Sequence, residues 1–491
     1  MRPRLLAVFI VISAAGLSAQ QASERGSVTA TQLPVPGTTT SINTLNPSVI
    51  VQGPFAGSAS SIDAMPFAGR LSLADALTRA LGYNLGFIDA TTASNDVEAQ
   101  ARLARSALLP HVDVDYTQAR RDTNLAAAGI HLDVPLPGFV FPTVVGPFNV
   151  VDIRGHLSQS ILDLSNVNAF RAARESVRES QFLVQDSRDQ VTLAVGAAYL
   201  QVLTSKARLL SAQAQLETAE ALHVQTLSEL RVGVLPQIDV NRTQVEVLTQ
   251  QQRLVSLQTD LTRQKINLAR LTGLPPTDEY DVAGDMLYAA APALTMDEAI
   301  AEALAQRTDA KAADAAVRAA ERRRTATSAE RLPSVSFDAD YGAIGTEFSD
   351  ARGTFALVGT VHVPVWEGGR VEAEVQRADA ALRQRRAERD NVRAQVVADV
   401  RNAWLEVQAA TSQVDLARTN LSTLRDTLEL TRQRFQAGIT DSLEVVRAQE
   451  GVATADLDYI NSVFAHNLAK LALARALGAA AGGFQRFLVV Q

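Results

Sequence analysis

Apolar residues recur along this chain with two periods, seven and two, and each period is used in both halves. Over 166–232 the seven-residue ladder is Val195, Val202, Leu209, Leu216 and Leu230; over 370–437 it is Val400, Val407, Val414, Leu421, Leu428 and Phe435. The shorter stretch 237–272 carries Val240, Val247, Leu254, Leu261 and Leu268, and 441–476 holds the matching place in the second half. A strict seven-residue repeat predicts helices in left-handed supercoiled contact with their neighbours. At 1.5 Å per residue the two longer helices reach on the order of 100 Å, far beyond a globular domain. Ahead of each long helix stand two segments of period two. Val112, Val114 and Tyr116 alternate with Asp113 and Asp115, and Val151, Ile153 and Leu157 stand against Asp152, Arg154 and His156. In the second half Val335, Phe337, Ala339 and Tyr341 alternate with Ser334, Ser336, Asp338 and Asp340, while Phe355, Leu357, Gly359, Val361 and Val363 oppose Thr360 and His362. The pattern predicts strands over about 111–120, 150–160, 334–341 and 354–363, each roughly the length that crosses a membrane in a β-barrel.

Shorter helices are predicted over about 72–82 and 85–107 before the first strands, and over 295–305 and 308–330 before the second. Each pair stops ahead of Pro110 or Pro333, because proline disfavours helical backbone in the residue before it. The chain from 71 to 274 and from 294 to 478 therefore reads as one unit written twice. Leu71–Leu77 resembles Leu294–Ile300 and Leu109-Pro110 resembles Leu332-Pro333 at an offset of 223; Tyr199, Gly233, Asp239 and Gly273 match Trp404, Gly438, Glu444 and Gly478 at an offset of 205. The residues missing from the second copy fall in one connection between its strands. Gly273 and Gly478 have the place of glycines that close a helix in the left-handed conformation.

The flanks read differently. Arg2 and Arg4, the apolar run Leu5–Ile12 and the small residues to Ala19 have the layout of a secretory signal peptide over 1–19. The alternative, a membrane anchor, falls short of the ~20 apolar residues a spanning helix needs. Residues 20–70, rich in Ser, Thr, Pro and Gly, show neither helical nor strand period and are expected to be an extended or mobile leader; 479–491 is a C-terminal tail.

Composition narrows the function. No cysteine is present, which removes disulfides, thiolate metal sites and a lipid-bearing N-terminal cysteine. A net charge of −7 without blocks of one sign offers no footprint for nucleic acid. No histidine stands at zinc-ligand spacing, and phosphate loops, dinucleotide fingerprints and nucleophile elbows are missing, so the chain is expected to be no enzyme and to need no cofactor or metal. No second stretch can span a membrane as a helix, which leaves β-structure as the route into a bilayer. Four strands cannot close a barrel, since the smallest have about eight. Insertion thus demands an oligomer.

These features resemble the TolC-type outer-membrane efflux protein family. The most specific match is Arg434-Phe435 with Gly438, Glu444-Val445 and Ala448-Gln449, which is similar to the family's helix–turn–helix tip; Leu230–Val240 is a weaker copy. Pro364-Val-Trp-Glu-Gly-Gly-Arg370 resembles the strand-to-helix junction, and its counterpart Ser160–Asn166 lacks the glycines. The resemblance implies a mainly α fold with a membrane β-barrel: three chains closing twelve strands in the outer membrane above a helical tunnel through the periplasm. It implies a passive exit duct of a tripartite pump or type I secretion system, lying in outer-membrane lipid and served by a periplasmic adaptor and an inner-membrane transporter.

Within that frame Asp113, Asp115, Asp338 and Asp340 are expected on the lumen face of the strands. By resemblance, Asp239 and Glu444 are the constricting acids at the periplasmic gate. Where some family members carry a second acid, both copies here have arginine, Arg242 and Arg447. Two readings stay open: salt bridges between chains that hold the gate, or solvated pairs at a helix start worth about 0.2–0.5 kcal/mol. Gly233, Leu235 and Pro236 in one tip, and Gly438, Ile439 and Thr440 in the other, would meet the adaptor. His223 and His466 interrupt the ladders where the other copy has Leu428 and Leu261; they are expected to snorkel or hydrogen-bond, with a pH-sensitive seam as the sharper alternative. The apolar connection 121–149 is either an outer loop over the mouth, touching lipopolysaccharide, or a rigid proline-rich cover. Rival functions are a periplasmic adaptor, which lacks the duplication, and a coiled-coil stalk, which lacks the strands.

Overall fold

The computed structural model describes residues 26–34, 41, 45–59, 67, 69–127, 129, 143–275, 279–483 and 486–488. The expected signal peptide and most of the apolar connection lie outside them. Along the chain come β1 (Val28–Pro34), β2 (Leu45–Val51), β3 (Gly69–Leu71), α1 (Leu73–Tyr83), α2 (Leu85–Ser106), β4 (His111–Asn124), β5 (Val144–Leu162), α3 (Leu164–Arg231) and α4 (Gln237–Thr272). The same succession then recurs as β6 (Tyr280–Val282), α5 (Met296–Gln306), α6 (Thr308–Ala329), β7 (Ser334–Gly345), β8 (Arg352–His362), α7 (Arg370–Gln436) and α8 (Ser442–Ala476), with a short α9 (Ala480–Gly483) behind it.

Local chemistry explains the boundaries. Ser72 accepts from the Asp75 N–H to start α1, and Thr295 with Glu298 forms a reciprocal capping box at α5. Asp163 caps α3 through the Asn166 N–H at 2.9 Å. Gly273 and Gly478 close α4 and α8 at φ +70° and +75°. The long helices α3 and α7 run 68 and 67 residues without a break.

The membrane-type sheet has the order β4-β5-β7-β8, antiparallel throughout, so β4 and β8 are its two open edges. The extra length of the first half falls partly in the connection between β4 and β5, residues 125–143 against 346–351 between β7 and β8, and partly in the strands, since β4 and β5 have 14 and 19 residues against 12 and 11 in β7 and β8. Among the described residues no helix is long and apolar enough to cross a membrane.

Halfway down the helices sits the main core. Leu71, Val195, Tyr199, Val202, Leu268, Phe464, Leu468 and Leu471 form one buried cluster, and Ala299, Val400, Val407, Leu473 and Leu477 a second. The two halves pin this level alike. The Tyr199 hydroxyl donates to the Leu71 carbonyl at 3.0 Å, and Trp404 Nε1 donates to the Leu294 carbonyl at 3.3 Å.

Two expectations need correction. The described part of 20–70 is more than an extended or mobile leader: β1 pairs antiparallel with β2 from Val28↔Val51 to Pro34↔Leu45, and β3 pairs parallel with β6. The alternation of Val28 and Ala30 with Thr29 and Thr31 is too short to signal a strand alone. Docking supplies the rest, with Val28, Ala30, Val49 and Val51 packed on the main core and the Gln32 amide donating to the Ala465 carbonyl at 2.6 Å. The second correction concerns α3. Its ladder is fully buried at Val195 and Val202, but Leu209, Leu216 and Leu230 are half-buried, and the innermost positions of the lower half are Ser205, Ala212, Ala219 and Thr226. Small and polar residues there follow the same seven-residue spacing, which a search for large apolar side chains passes over.

Candidate functional site

Two ends of the molecule carry candidate chemistry, the sheet and the helical tips. Residues opposite each other across antiparallel strands share a face. Asp113 pairs with His156 and Asp115 with Arg154; His156 in turn opposes Asp340, and Ser158 opposes Asp338. All four predicted acids therefore lie on one face. Arg154 stands among them, 2.7 Å from Asp340 and 3.3 Å from Asp152, and His156 Nε2 is 3.6 Å from Asp115. The opposite face carries Val112, Val114, Tyr116, Ile153, Tyr341, Phe355, Leu357 and Val361, every one exposed in the single chain. Such a sheet suits lipid on one side and water on the other.

At the far end α3 and α4, and likewise α7 and α8, are joined by tight turns. Gly233 and Gly438 sit at φ +78° and +68°, and no atom lies within 4 Å of where a Cβ would stand, so backbone conformation alone asks for glycine. The Val234 and Ile439 N–H groups reach back to the Glu229 and Arg434 carbonyls, each at 2.9 Å, as a left-handed helix ending requires. Pro236 precedes α4, and Asp441 caps α8 by accepting from the Glu444 N–H at 3.1 Å.

The two predicted gate acids are placed differently. Asp239 is buried, and its Oδ1 accepts from the Ser442 hydroxyl at 2.6 Å and from Arg242 Nη1 at 3.3 Å. The first bond crosses from one hairpin tip to the other within a single chain. Glu444 is exposed and accepts from the Thr440 hydroxyl. A Glu444–Arg447 pair does not occur among the ion pairs of the described residues, so the acid–base spacing shared by both tips forms a bridge only in the first. Ser442 escaped the sequence reading because it looks like a helix-start residue beside a capping Asp, and only the fold brings it to Asp239.

The interrupting histidines also diverge. His223 Nδ1 lies 2.9 Å from the Thr243 hydroxyl, as expected of a hydrogen-bonded wall residue. His466 neither snorkels nor hydrogen-bonds. It is fully buried, no protein group meets its ring nitrogens, and it packs on the Tyr288 ring at 5.0 Å. Burial, with the nearby Lys470 charge, pushes its pKa down to about 4. Burial also lowers the Lys470 amine to about 8, where it donates to the Ala289 carbonyl at 2.8 Å. Glu406, which accepts the Gln32 N–H under β1, is raised by desolvation. No cluster of three potential metal ligands occurs among the described residues.

A sheet with one apolar face, carried on helical rods roughly 100 Å long that end in hairpin tips, defines a subunit of an outer-membrane channel with a periplasmic extension. The chain belongs to the outer membrane efflux protein family, whose signature matches residues 77–274 and 299–479. It is 27% identical over 329 residues to the pyoverdine export outer membrane protein OpmQ of Pseudomonas putida, covering 64% of this chain and 67% of that one. It is 22% identical to the outer membrane protein TolC of Escherichia coli over 394 residues, 76% of each chain. Its fold matches the crystal structure of the Campylobacter jejuni CmeC outer membrane channel with a TM-score of 0.69 and 16% identity, over 83% of this chain and 86% of that one. The family is one of channels rather than enzymes.

Proposed function

We propose that this outer-membrane efflux channel works as the passive exit duct of a tripartite efflux or type I secretion system, assembled from three copies of a duplicated unit. The observation that carries the proposal is the four-stranded sheet with an apolar face and two unpaired edges. Such edges cannot remain open in hydrocarbon, because each unpaired backbone group costs several kcal/mol. Pairing β8 of one copy with β4 of the next continues the antiparallel order, and three copies close twelve strands. The acidic face then lines the lumen, with Arg154 partly offsetting Asp113, Asp115, Asp152, Asp338 and Asp340.

Energy comes from an inner-membrane transporter through a periplasmic adaptor, which meets the tips at Gly233, Leu235, Pro236, Gly438, Ile439 and Thr440. Gating falls to the same level. The Asp239–Ser442 bond latches the two tips of one chain, Arg242 braces Asp239, and Glu444 with Arg447 stands where neighbouring chains converge. Separation of the tips breaks the latch and widens the opening.

Single-channel recording in a planar bilayer tests this reading. Wild type is expected to give small cation-selective steps, and the Asp239→Ala/Glu444→Ala variant larger ones. Folded protein that conducts in neither form would overturn the duct; equal conductance would keep the duct and remove the gate from these acids.

A further inference from the structure

The contact between the two helical hairpins of one chain changes character along its length. At the level of the main core it is apolar, with Val195, Tyr199 and Val202 of α3 in one cluster with Phe464, Leu468 and Leu471 of α8. Below Ser205 it is polar. Arg208 Nε donates to Asn461 Oδ1 at 3.0 Å, and the Ser211 hydroxyl donates to Asp456. Near the tips a small apolar cluster of Leu222, Phe435 and Val445 returns, followed by the Asp239–Ser442 bond. Between the Ser211 level and that cluster lies a cavity of about 210 Å³. All four long helices line it, with Gln215, Glu246, Gln250, Arg425, Gln449 and Asp456 among its walls.

The cavity is built from buried amides without enough partners. Gln250 and Gln449 are only 5% and 9% exposed. No protein group meets Oε1 of Gln215, Oε1 of Gln250 or either amide atom of Gln449. Glu246 is engaged by the Gln250 amide at 2.7 Å, and Asp456 by Arg425 at 3.2 Å as well as by Ser211. What is left over is a neutral set of both acceptors and a donor. A cation would satisfy only the acceptors, whereas water satisfies both, and one water needs only about 10–15 Å³ of such space.

We propose that this cavity, half open to the outside, is a hydration site that acts as a hinge, separating a tip block from an equatorial block within each chain. Parting two apolar surfaces exposes new area to water, whereas a layer already solvated exchanges one set of hydrogen bonds for another at little cost. The tips can therefore swing while the apolar level above stays packed. This inference rests on the gated-duct reading for its purpose, though its test does not.

The chain contains no cysteine, so Ala453→Cys, at a buried position lining the cavity, places one thiol at the hinge. In the folded full-length protein this thiol is expected to react readily with a small polar maleimide. Adding Gln449→Leu, at a side chain whose amide atoms meet no protein group, puts apolar volume into the cavity and is expected to slow labelling by about fivefold or more, with thermal stability unchanged or raised. Gln449→Met should give the same sign and guards against a leucine variant that fails to fold. Equal labelling rates, or faster labelling with lower stability, would overturn the hinge. If wild type conducts and the rates are equal, the hinge falls and the duct stands; slowed labelling in a protein that never conducts leaves the hinge and removes the duct.

Discussion

His466 shows how one substitution between matching positions changes the physics of a helix wall. Leu261 holds the equivalent place in the first copy, half-buried and apolar. His466 is wholly buried beside Lys470 and Tyr288, with Arg418 over the same Tyr288 ring at 5.6 Å. Its folded pKa of about 4 lies below the ordinary 6.5, so between these values the unfolded chain takes up a proton that the folded chain refuses. Stability is full above about pH 6.5 and is lost as pH falls toward 4, at no more than about 1.4 kcal/mol per pH unit. His466→Leu is expected to flatten that dependence and raise the melting temperature below pH 6; an unchanged pH profile in thermal unfolding would exclude the histidine as its source. The sequence marked His466 as an interruption of the ladder. Its isolation from hydrogen-bond partners was not legible, because that depends on the linker around Tyr288 folding back onto α8. Asp239 makes the same point from the other side: its place after the tip glycine was readable, whereas its bond to Ser442 joins residues 203 positions apart.

Among the elements, the long helices were legible to within a residue or two, whereas β4, β5 and β7 each run several residues beyond the alternating segment that signals them. The four long helices and four membrane-type strands follow from heptads and alternation, and their ends from Pro110, Pro333 and the tip glycines. What escaped was held by docking instead of by its own pattern: β1, β2 and the short β3–β6 pair. The sheet offers a sharp test of its two faces. Leu357 lies at the centre of β8 on the apolar face, and its neighbour Val358 faces the acids across from Asp338. Leu357→Arg is expected to cost about 2–4 kcal/mol at the bilayer midplane and to reduce insertion, whereas Val358→Arg should be tolerated. Comparing the yields of heat-modifiable, membrane-inserted protein for the two variants checks the assignment, and equal losses would contradict it.

At the scale of the whole molecule, the exposed apolar face and the open edges make the single chain an incomplete object. Light scattering of the detergent-extracted protein is expected to give the mass of three chains, with no stable inserted monomer. A monomer that conducts would refute closure by edge pairing. In the proposed ring of three copies, the two tips of each chain would give six tips of two kinds, because Gly233-Val-Leu-Pro and Gly438-Ile-Thr-Asp present different chemistry to whatever docks there. The open edges also have a genetic corollary. If, as proposed, β4 of each copy pairs with β8 of another, subunits that retain both edges would mix freely, and a defect in one would be built into a shared ring. In a cell making normal and gate-locked copies in equal amounts, only about one ring in eight would be free of the altered copy. Alleles that block the lumen should therefore behave as dominant, whereas those that destroy an edge strand should be recessive, since their products never enter the ring.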